Sequence, residues 1–179
     1  MADALLIADL VNDFVTGKLG TPRAARIIPN IRRLVEGARK AGVPVIYVGD
    51  AHLARDPELK IWGSHSMKGT KGAQVIPELT PEKGDIVLEK RTYSAFYETS
   101  LDPILRAHDV RDLAITALLT NICGIHTAGD AFFRGYRPIV VEDGMEALDD
   151  ESHKFGLDYM KRMYQATIVQ ASGVLKAWK

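Results

Sequence analysis

A single cysteine in 179 residues rules out an internal disulfide, so oxidative cross-linking has no part in holding this chain together. Net charge is missing too. The 23 lysines and arginines balance 23 acidic residues, leaving no global field to attract nucleic acid or an anionic membrane. Long hydrophobic runs are also absent. The opening apolar run, Ala4–Leu10, is interrupted by Asp9 and has no basic residues before it, so it is too short for a membrane span and unlike a secretion signal. A cytoplasmic protein with small-molecule partners, and without membrane or nucleic-acid partners, is therefore expected. Glycines form no G-x-G-x-x-G or Walker pattern after a strand, which removes a nucleotide site. There is no internal repeat and no low-complexity tract.

What is present is a hydrophobic content of 46% in a chain the size of one domain with a sizeable core, so residues 1–179 are expected to form a single domain. Strand and helix signals alternate. Apolar runs at Ala4–Leu10, Val43–Gly49, Ile86–Leu88, Leu113–Ala117, Pro138–Val141 and Thr167–Val169 read as six strands. Between them, Thr21-Pro22 starts a helix running towards Lys40, which Pro29 is expected to kink or restart. Further helices are predicted from Thr99 or Ser100 to Ala107, from about Cys123 to Arg134, over Asp149–Tyr164, and around Val174 and Leu175. The prediction is a three-layer α/β/α sandwich with a six-stranded, mostly parallel sheet. Residues 51–84 show little periodicity, and a connection of that length is often functional.

In an open parallel sheet, ligands bind beyond the carboxyl ends of the strands, so residues placed just after different strands converge. Four predicted strands here are followed by chemically capable residues. Asp9, Asp50 with His52, Lys90 and Cys123 together supply a base, a cation, a nucleophile and possible metal ligands. Each also has a plainer reading. A lone cysteine is more often buried filler, although a position opening a helix would lower its pKa. Asp9 within an apolar run must be paired or cap a turn. Lys90 lies in Glu89-Lys90-Arg91, which would suit an exposed strand end. Asp50-Ala51-His52 with His65 offers one oxygen and two imidazole nitrogens, a set that suits Zn²⁺, Fe²⁺ or Mn²⁺, or else is a surface loop with two unrelated histidines.

Several motifs occur in order: Ile7-Ala-Asp9-Leu-Val-Asn-Asp-Phe14, Gly49-Asp50-Ala-His52, Trp62-Gly-Ser-His65, Glu89-Lys90-Arg-Thr-Tyr93-Ser-Ala-Phe96, and Thr120-Asn-Ile-Cys123 leading to Asp130-Ala-Phe-Phe-Arg-Gly135. In these the chain resembles the isochorismatase-like cysteine hydrolases, a group that includes nicotinamidases and N-carbamoylsarcosine amidases. The resemblance runs through nearly the whole length. It implies an amidase with a catalytic triad of Asp9, Lys90 and Cys123, and a cis peptide near Leu118-Leu119 whose amide, at Leu119, joins that of Cys123 in an oxyanion hole. It further implies a divalent metal, zinc first with iron or manganese also fitting, held by Asp50, His52 and His65. Phe14 and Trp62 fall where nicotinamidases wall a flat ring. Asn121-Ile122-Cys123, in contrast, looks more like the carbamoyl-amidase branch, so an N-carbamoylsarcosine-type ureido substrate is preferred and nicotinamide is the alternative. A non-catalytic binding or assembly protein would be expected to lack Asp9, Lys90 or Cys123. Relatives are commonly dimers or tetramers, so a homo-oligomer is expected, with Ile122, Phe132, Phe133 and Tyr136 as candidates to face a neighbour. Arg55, Lys60, Lys68 and Lys71 are the candidates within 51–84 to recognise a substrate carboxylate.

Overall fold

The computed structural model describes residues 2–179. Its six strands are β1 (Ala4–Ala8), β2 (Val45–Asp50), β3 (Ile86–Lys90), β4 (Asp112–Leu118), β5 (Arg137–Glu146) and β6 (Thr167–Val169). They form one sheet in the order β3-β2-β1-β4-β5-β6, and every pairing is parallel, so the expected "mostly" becomes "entirely". All five residues of β1 are buried, as a central strand covered on both faces must be, which is why it reads as an unbroken apolar run.

Seven helices connect the strands: α1 (Asn12–Val15), α2 (Pro22–Ala41), α3 (Leu59–Trp62), α4 (Leu101–Ala107), α5 (Ile125–Phe133), α6 (Asp150–Met163) and α7 (Ala171–Ala177). Alternation along β1 divides the core in two. Leu5 and Ile7 pack with residues of α2 and α7, while Ala4, Leu6 and Ala8 pack with residues of α4, α5 and α6. The result is the three-layer sandwich. Among the described residues, no helix is long and apolar enough to cross a membrane.

Three departures from expectation have local causes. α2 starts at a Thr21 cap that accepts from the Ala24 amide at 3.3 Å, ends before Gly42 at φ 70°, and runs through Pro29 as a single assigned helix. Burial of Ile27, Ile31, Leu34, Val35 and Ala38 carries it past the hydrogen bond that proline cannot donate. β5 extends beyond Val141 to Glu146, because a register shift opposite Ile115–Ala117, with the extra residues on β5 between Val140 and Met145, lets Met145 and Glu146 rejoin the ladder. The polar Glu142-Asp143-Gly144 stretch conceals this continuation. A Cβ on Gly144 would lie 2.8 Å from the Thr116 methyl, so glycine is required there. Residues 51–84, finally, contain α3 and two 3-10 turns, Lys71–Ala73 and Pro77–Leu79. Asn12 Nδ2 donates to the Lys71 and Gln74 carbonyls at 2.9 and 3.0 Å, and Asp13 accepts from the Ser66 amide at 2.7 Å. The residues after β1 thereby fasten the long segment over the sheet edge.

Candidate active site

The strand order reverses between β1 and β4, opening a crevice at their carboxyl ends. Asp9 immediately follows β1 and Cys123 lies five residues beyond β4, so the two approach each other from adjacent strands. Lys90, the last residue of β3, reaches across β2. Its ammonium lies 2.9 Å from Asp9 Oδ2, 2.5 Å from Asp50 Oδ1, 2.9 Å from the Thr92 carbonyl and 3.8 Å from Cys123 Sγ. Asp9, Asp50 and Lys90 are each at most 1% exposed, and Cys123 is 6% exposed. Asp9 adopts φ 65°, a left-handed conformation that aspartate tolerates better than most residues, and its Oδ1 accepts from the Asp50 amide at 3.1 Å. The exposed-end reading of Lys90 and the turn-cap reading of Asp9 are both excluded.

The electrostatics differ in one respect from the sequence-based expectation. Burial, reinforced by the Asp9 and Asp50 carboxylates, raises the Cys123 thiol well above its ordinary value, and Lys90 offsets this only in part. A helix N-terminus at Cys123, which the sequence predicts, would lower it. Cys123 instead sits in a π-helical turn, Thr120–Gly124, with α5 beginning only at Ile125. Asp9 is pushed up to about 7, first by burial and then by Asp50, against the opposing pull of Lys90 and a hydrogen bond from Cys123. Burial lowers the Lys90 ammonium, but Asp50, Asp9 and Cys123 outweigh it and hold it well above its usual value. Burial raises Asp50, yet Lys90 and His52 bring it below the usual carboxylate range. At neutral pH the cluster therefore has a protonated thiol in hydrogen-bond contact with a carboxyl poised to accept its proton, beside a fixed cation.

Two contacts that the sequence did not signal brace the turn carrying Cys123. His153 on α6 shares a hydrogen bond of 2.8 Å with Thr120 Oγ1. Also on α6, Gly156 packs so closely that a Cβ there would come within 3.1 Å of the Asn121 backbone. Only packing of a distant helix onto the turn reveals either contact. The Leu118-Leu119 peptide is cis, and Leu119 and Cys123 both line the adjacent cavity.

Beside this cluster, Asp50, His52, His65 and a residue the sequence reading missed, Glu58, form a buried group whose ligand atoms all lie within 4.8 Å of one another. His52 Nε2 is 3.4 Å from Asp50 Oδ2 and 3.9 Å from Glu58 Oε2. Each imidazole has its Nδ1 engaged elsewhere: His52 with Asp56 at 3.3 Å, and His65 with the Gly63 carbonyl at 2.8 Å. Such bonding turns Nε2 toward the group, as it does in histidine metal sites. His52 Nε2 and Glu58 Oε1 are both buried without a hydrogen-bond partner. Two orphaned polar atoms in one buried set of oxygen and imidazole donors fit a divalent cation. Asp56 is held at about 2, first by Arg91, whose Nη2 lies 2.5 Å away. Glu58 escaped notice because nothing in Arg55-Asp56-Pro57-Glu58 marks one carboxylate over another; α3 places it.

A cavity of about 170 Å³ opens onto both groups. Phe14, Trp62, Tyr93, Leu119 and Ile122 supply apolar walls, and Cys123, Asp50, Glu58, His65 and Glu146 supply polar ones. Phe14 stands 5.5 Å from the His65 ring, and Trp62 Nε1 donates to the Tyr93 hydroxyl at 3.2 Å. None of Arg55, Lys60, Lys68 or Lys71 lines this cavity, and Lys68 instead pairs with Glu89 at 2.5 Å. Those long side chains lie on the outer side of the segment, where water can solvate their charge. Besides Lys90, Arg23 also contacts the wall, donating to the Ala147 carbonyl at 2.9 Å and to Glu146 at 2.8 Å.

A family model described as the isochorismatase domain matches residues 3–172. N-carbamoylsarcosine amidase from Thermoplasma acidophilum superposes with a TM-score of 0.90 at 47% identity, over 96% of this chain and 97% of that one. The nicotinamidase/pyrazinamidase of Bacillus subtilis gives a TM-score of 0.87 at 29% identity, over 95% and 100%. Ureidoacrylate amidohydrolase RutB from Yersinia enterocolitica is 30% identical over 191 residues, covering 90% of this chain and 79% of its own length.

Proposed function

The chain belongs to the isochorismatase family, and from that membership we propose that it is a cysteine-dependent amidohydrolase releasing ammonia from a small amide, with an N-carbamoylsarcosine-type ureido compound as the preferred substrate. One observation carries the reading: the buried meeting of Cys123, Lys90 and Asp9 beside the cavity. The two comparison proteins named for carbamoyl or ureido substrates support the substrate class.

In this mechanism the Cys123 sulfur bonds to the ureido carbonyl carbon as Asp9 takes the thiol proton, and Lys90 stabilises the negative charge passing through sulfur. The tetrahedral oxyanion accepts from the amides of Leu119 and Cys123. The carbon–nitrogen bond to the terminal amino group then breaks, and Asp9 returns its proton to the departing ammonia. Water, deprotonated by Asp9, cleaves the remaining carbon–sulfur bond. The carbamate released loses carbon dioxide to give the free amine. Phe14 and Trp62 hold the substrate between them and exclude water. Asp50, His52 and His65, with Glu58, would hold a divalent metal, zinc or alternatively iron or manganese, which when bound supplies a Lewis acid at the cavity wall.

A second reading, nicotinamide hydrolysis, is favoured by the aromatic walls at Phe14 and Trp62 next to an imidazole–carboxylate group able to hold a metal. Ammonia release from N-carbamoylsarcosine and from nicotinamide, measured in parallel on metal-supplemented wild type and Cys123→Ala, separates the two. The variant should lose at least about a thousandfold in turnover while keeping its fold, and appreciable activity in it would rule out thiol chemistry.

A further inference from the structure

We propose that His153 is a positioning residue for the reaction: by gripping Thr120 from α6, it aims the turn that presents the Leu119 and Cys123 amides to the developing oxyanion. The inference rests on the thiol mechanism above but on no particular amide substrate. Thr120 is completely buried, and both branches of its side chain are held by α6. Its hydroxyl shares the 2.8 Å hydrogen bond with His153 Nδ1, while its methyl faces Gly156, where an added Cβ would stand 3.0 Å away. Three-residue spacing puts His153 and Gly156 on one face of the helix. The first turn of α6, which carries His153, is itself fixed. Asp149 caps it by accepting from the Ser152 amide at 2.6 Å, and Asp150 ties it to α2 through Arg23 at 2.5 Å.

Little else sets the direction of the turn. It closes on itself, the Leu119 carbonyl accepting from the Ile122 and Gly124 amides at 3.2 and 3.0 Å, so it moves as a unit. Apart from the Cys123 thiol, Thr120 is the one side chain of Thr120–Gly124, among the described residues, that hydrogen-bonds to another element; Asn121 Oδ1 is buried with no partner. A unit tied in this way takes its aim at the cavity from that tie. Oxyanion stabilisation is sensitive to such aim, and a displacement of about 1 Å costs roughly a hundredfold in rate. The sulfur, in contrast, is governed from the opposite side by Lys90 and Asp9. Loss of His153 should therefore impair stabilisation of the oxyanion and spare the thiol.

Two reagents separate these effects, and because the chain has one cysteine both report on Cys123. Iodoacetamide alkylates sulfur by displacing iodide from a saturated carbon, with no oxyanion. 4-Nitrophenyl acetate acylates it: sulfur bonds to the carbonyl carbon, the thiol proton goes to Asp9, and 4-nitrophenolate leaves from a tetrahedral oxyanion. Both rates are measured on wild type, His153→Leu, His153→Asn, Thr120→Val and the double variant His153→Leu/Thr120→Val. His153→Leu and Thr120→Val should each slow acylation about tenfold to a hundredfold and leave alkylation unchanged. His153→Asn, whose amide reaches the position of Nδ1, should recover most of the loss, and the double variant should be no slower than the slower single one. Acylation at the wild-type rate in His153→Leu, a parallel fall in both rates as a merely structural role would give, no recovery in His153→Asn, additive losses, or a wild-type thiol that alkylates without acylating would each overturn the proposal. A wild type that acylates but releases no ammonia from N-carbamoylsarcosine would refute the substrate reading alone, and the variants would still decide the role of His153.

Discussion

Two groups of buried polar side chains lie side by side at the carboxyl edge of the sheet, sharing Asp50, and they satisfy their polar atoms in different ways. Around Lys90 the chain pairs its own charges: one ammonium meets two carboxylates, a backbone carbonyl and a thiol, and Asp9 Oδ2, buried without a hydrogen-bond donor, is held by the ion pair at 2.9 Å. Around His52, two donor-set atoms, His52 Nε2 and Glu58 Oε1, are buried with no hydrogen-bond partner and no ammonium beside them. A buried polar group without a partner costs about 1–3 kcal/mol, so this second group is held in place by surrounding contacts, among them the Arg91–Asp56 ion pair. The first group is a finished piece of the folded chain. The second is a set of oxygen and imidazole donors that fits a divalent cation.

The comparison breaks most visibly at Lys90. Lys90→Ala leaves Asp9 and Asp50 buried without their cation, and unfolding in urea should show a loss of about 3–5 kcal/mol together with the disappearance of turnover. A stability close to wild type would mean that the cluster does not depend on its internal pairing. Removing support from the other group should act on metal rather than on the fold. Asp56→Asn loosens His52, and titration calorimetry with zinc should report affinity about 10–100-fold weaker; unchanged affinity would deny Asp56 a role in aiming that ring.

The contrast is sharpened through pH. Because Asp9 is raised from 3.8 to about 7, the folded chain keeps a proton between those values that the unfolded chain has already lost. Wild-type stability should therefore decline as pH rises through that window and level off above it. Asp9→Asn lacks this titration, so wild type should compare more favourably with the variant at pH 4.5 than at pH 7.5, and a constant difference would contradict the assignment. Activity should run the other way, since Asp9 accepts a proton only when ionised and kcat/KM should rise toward neutral pH. The same carboxylate is then a base at the expense of stability.

Much of this was legible in the residues. β1, β4 and β6 stood out as apolar runs close to their true limits, and Asp9, Lys90 and Cys123 were singled out because each follows a strand. What stayed hidden depended on neighbours distant in sequence. The far half of β5 needs a register shift opposite Ile115–Ala117 to rejoin the sheet. Glu58 needs α3 to bring it to His52, and His153 needs α6 lying against Thr120. The direction of the Cys123 shift was misjudged for the same reason: position near a helix start is visible in sequence, while full burial beside a carboxylate is not.

By itself, then, the sequence determined the alternation of strand and helix and the placing of chemically capable residues after strands, because hydrophobic period and strand-end position are properties of local order along the chain. Only the tertiary structure decided which charges would be buried together and which polar atoms would be left unpaired. Those outcomes turn on distances between segments dozens of residues apart, and on the removal of water from the space between them.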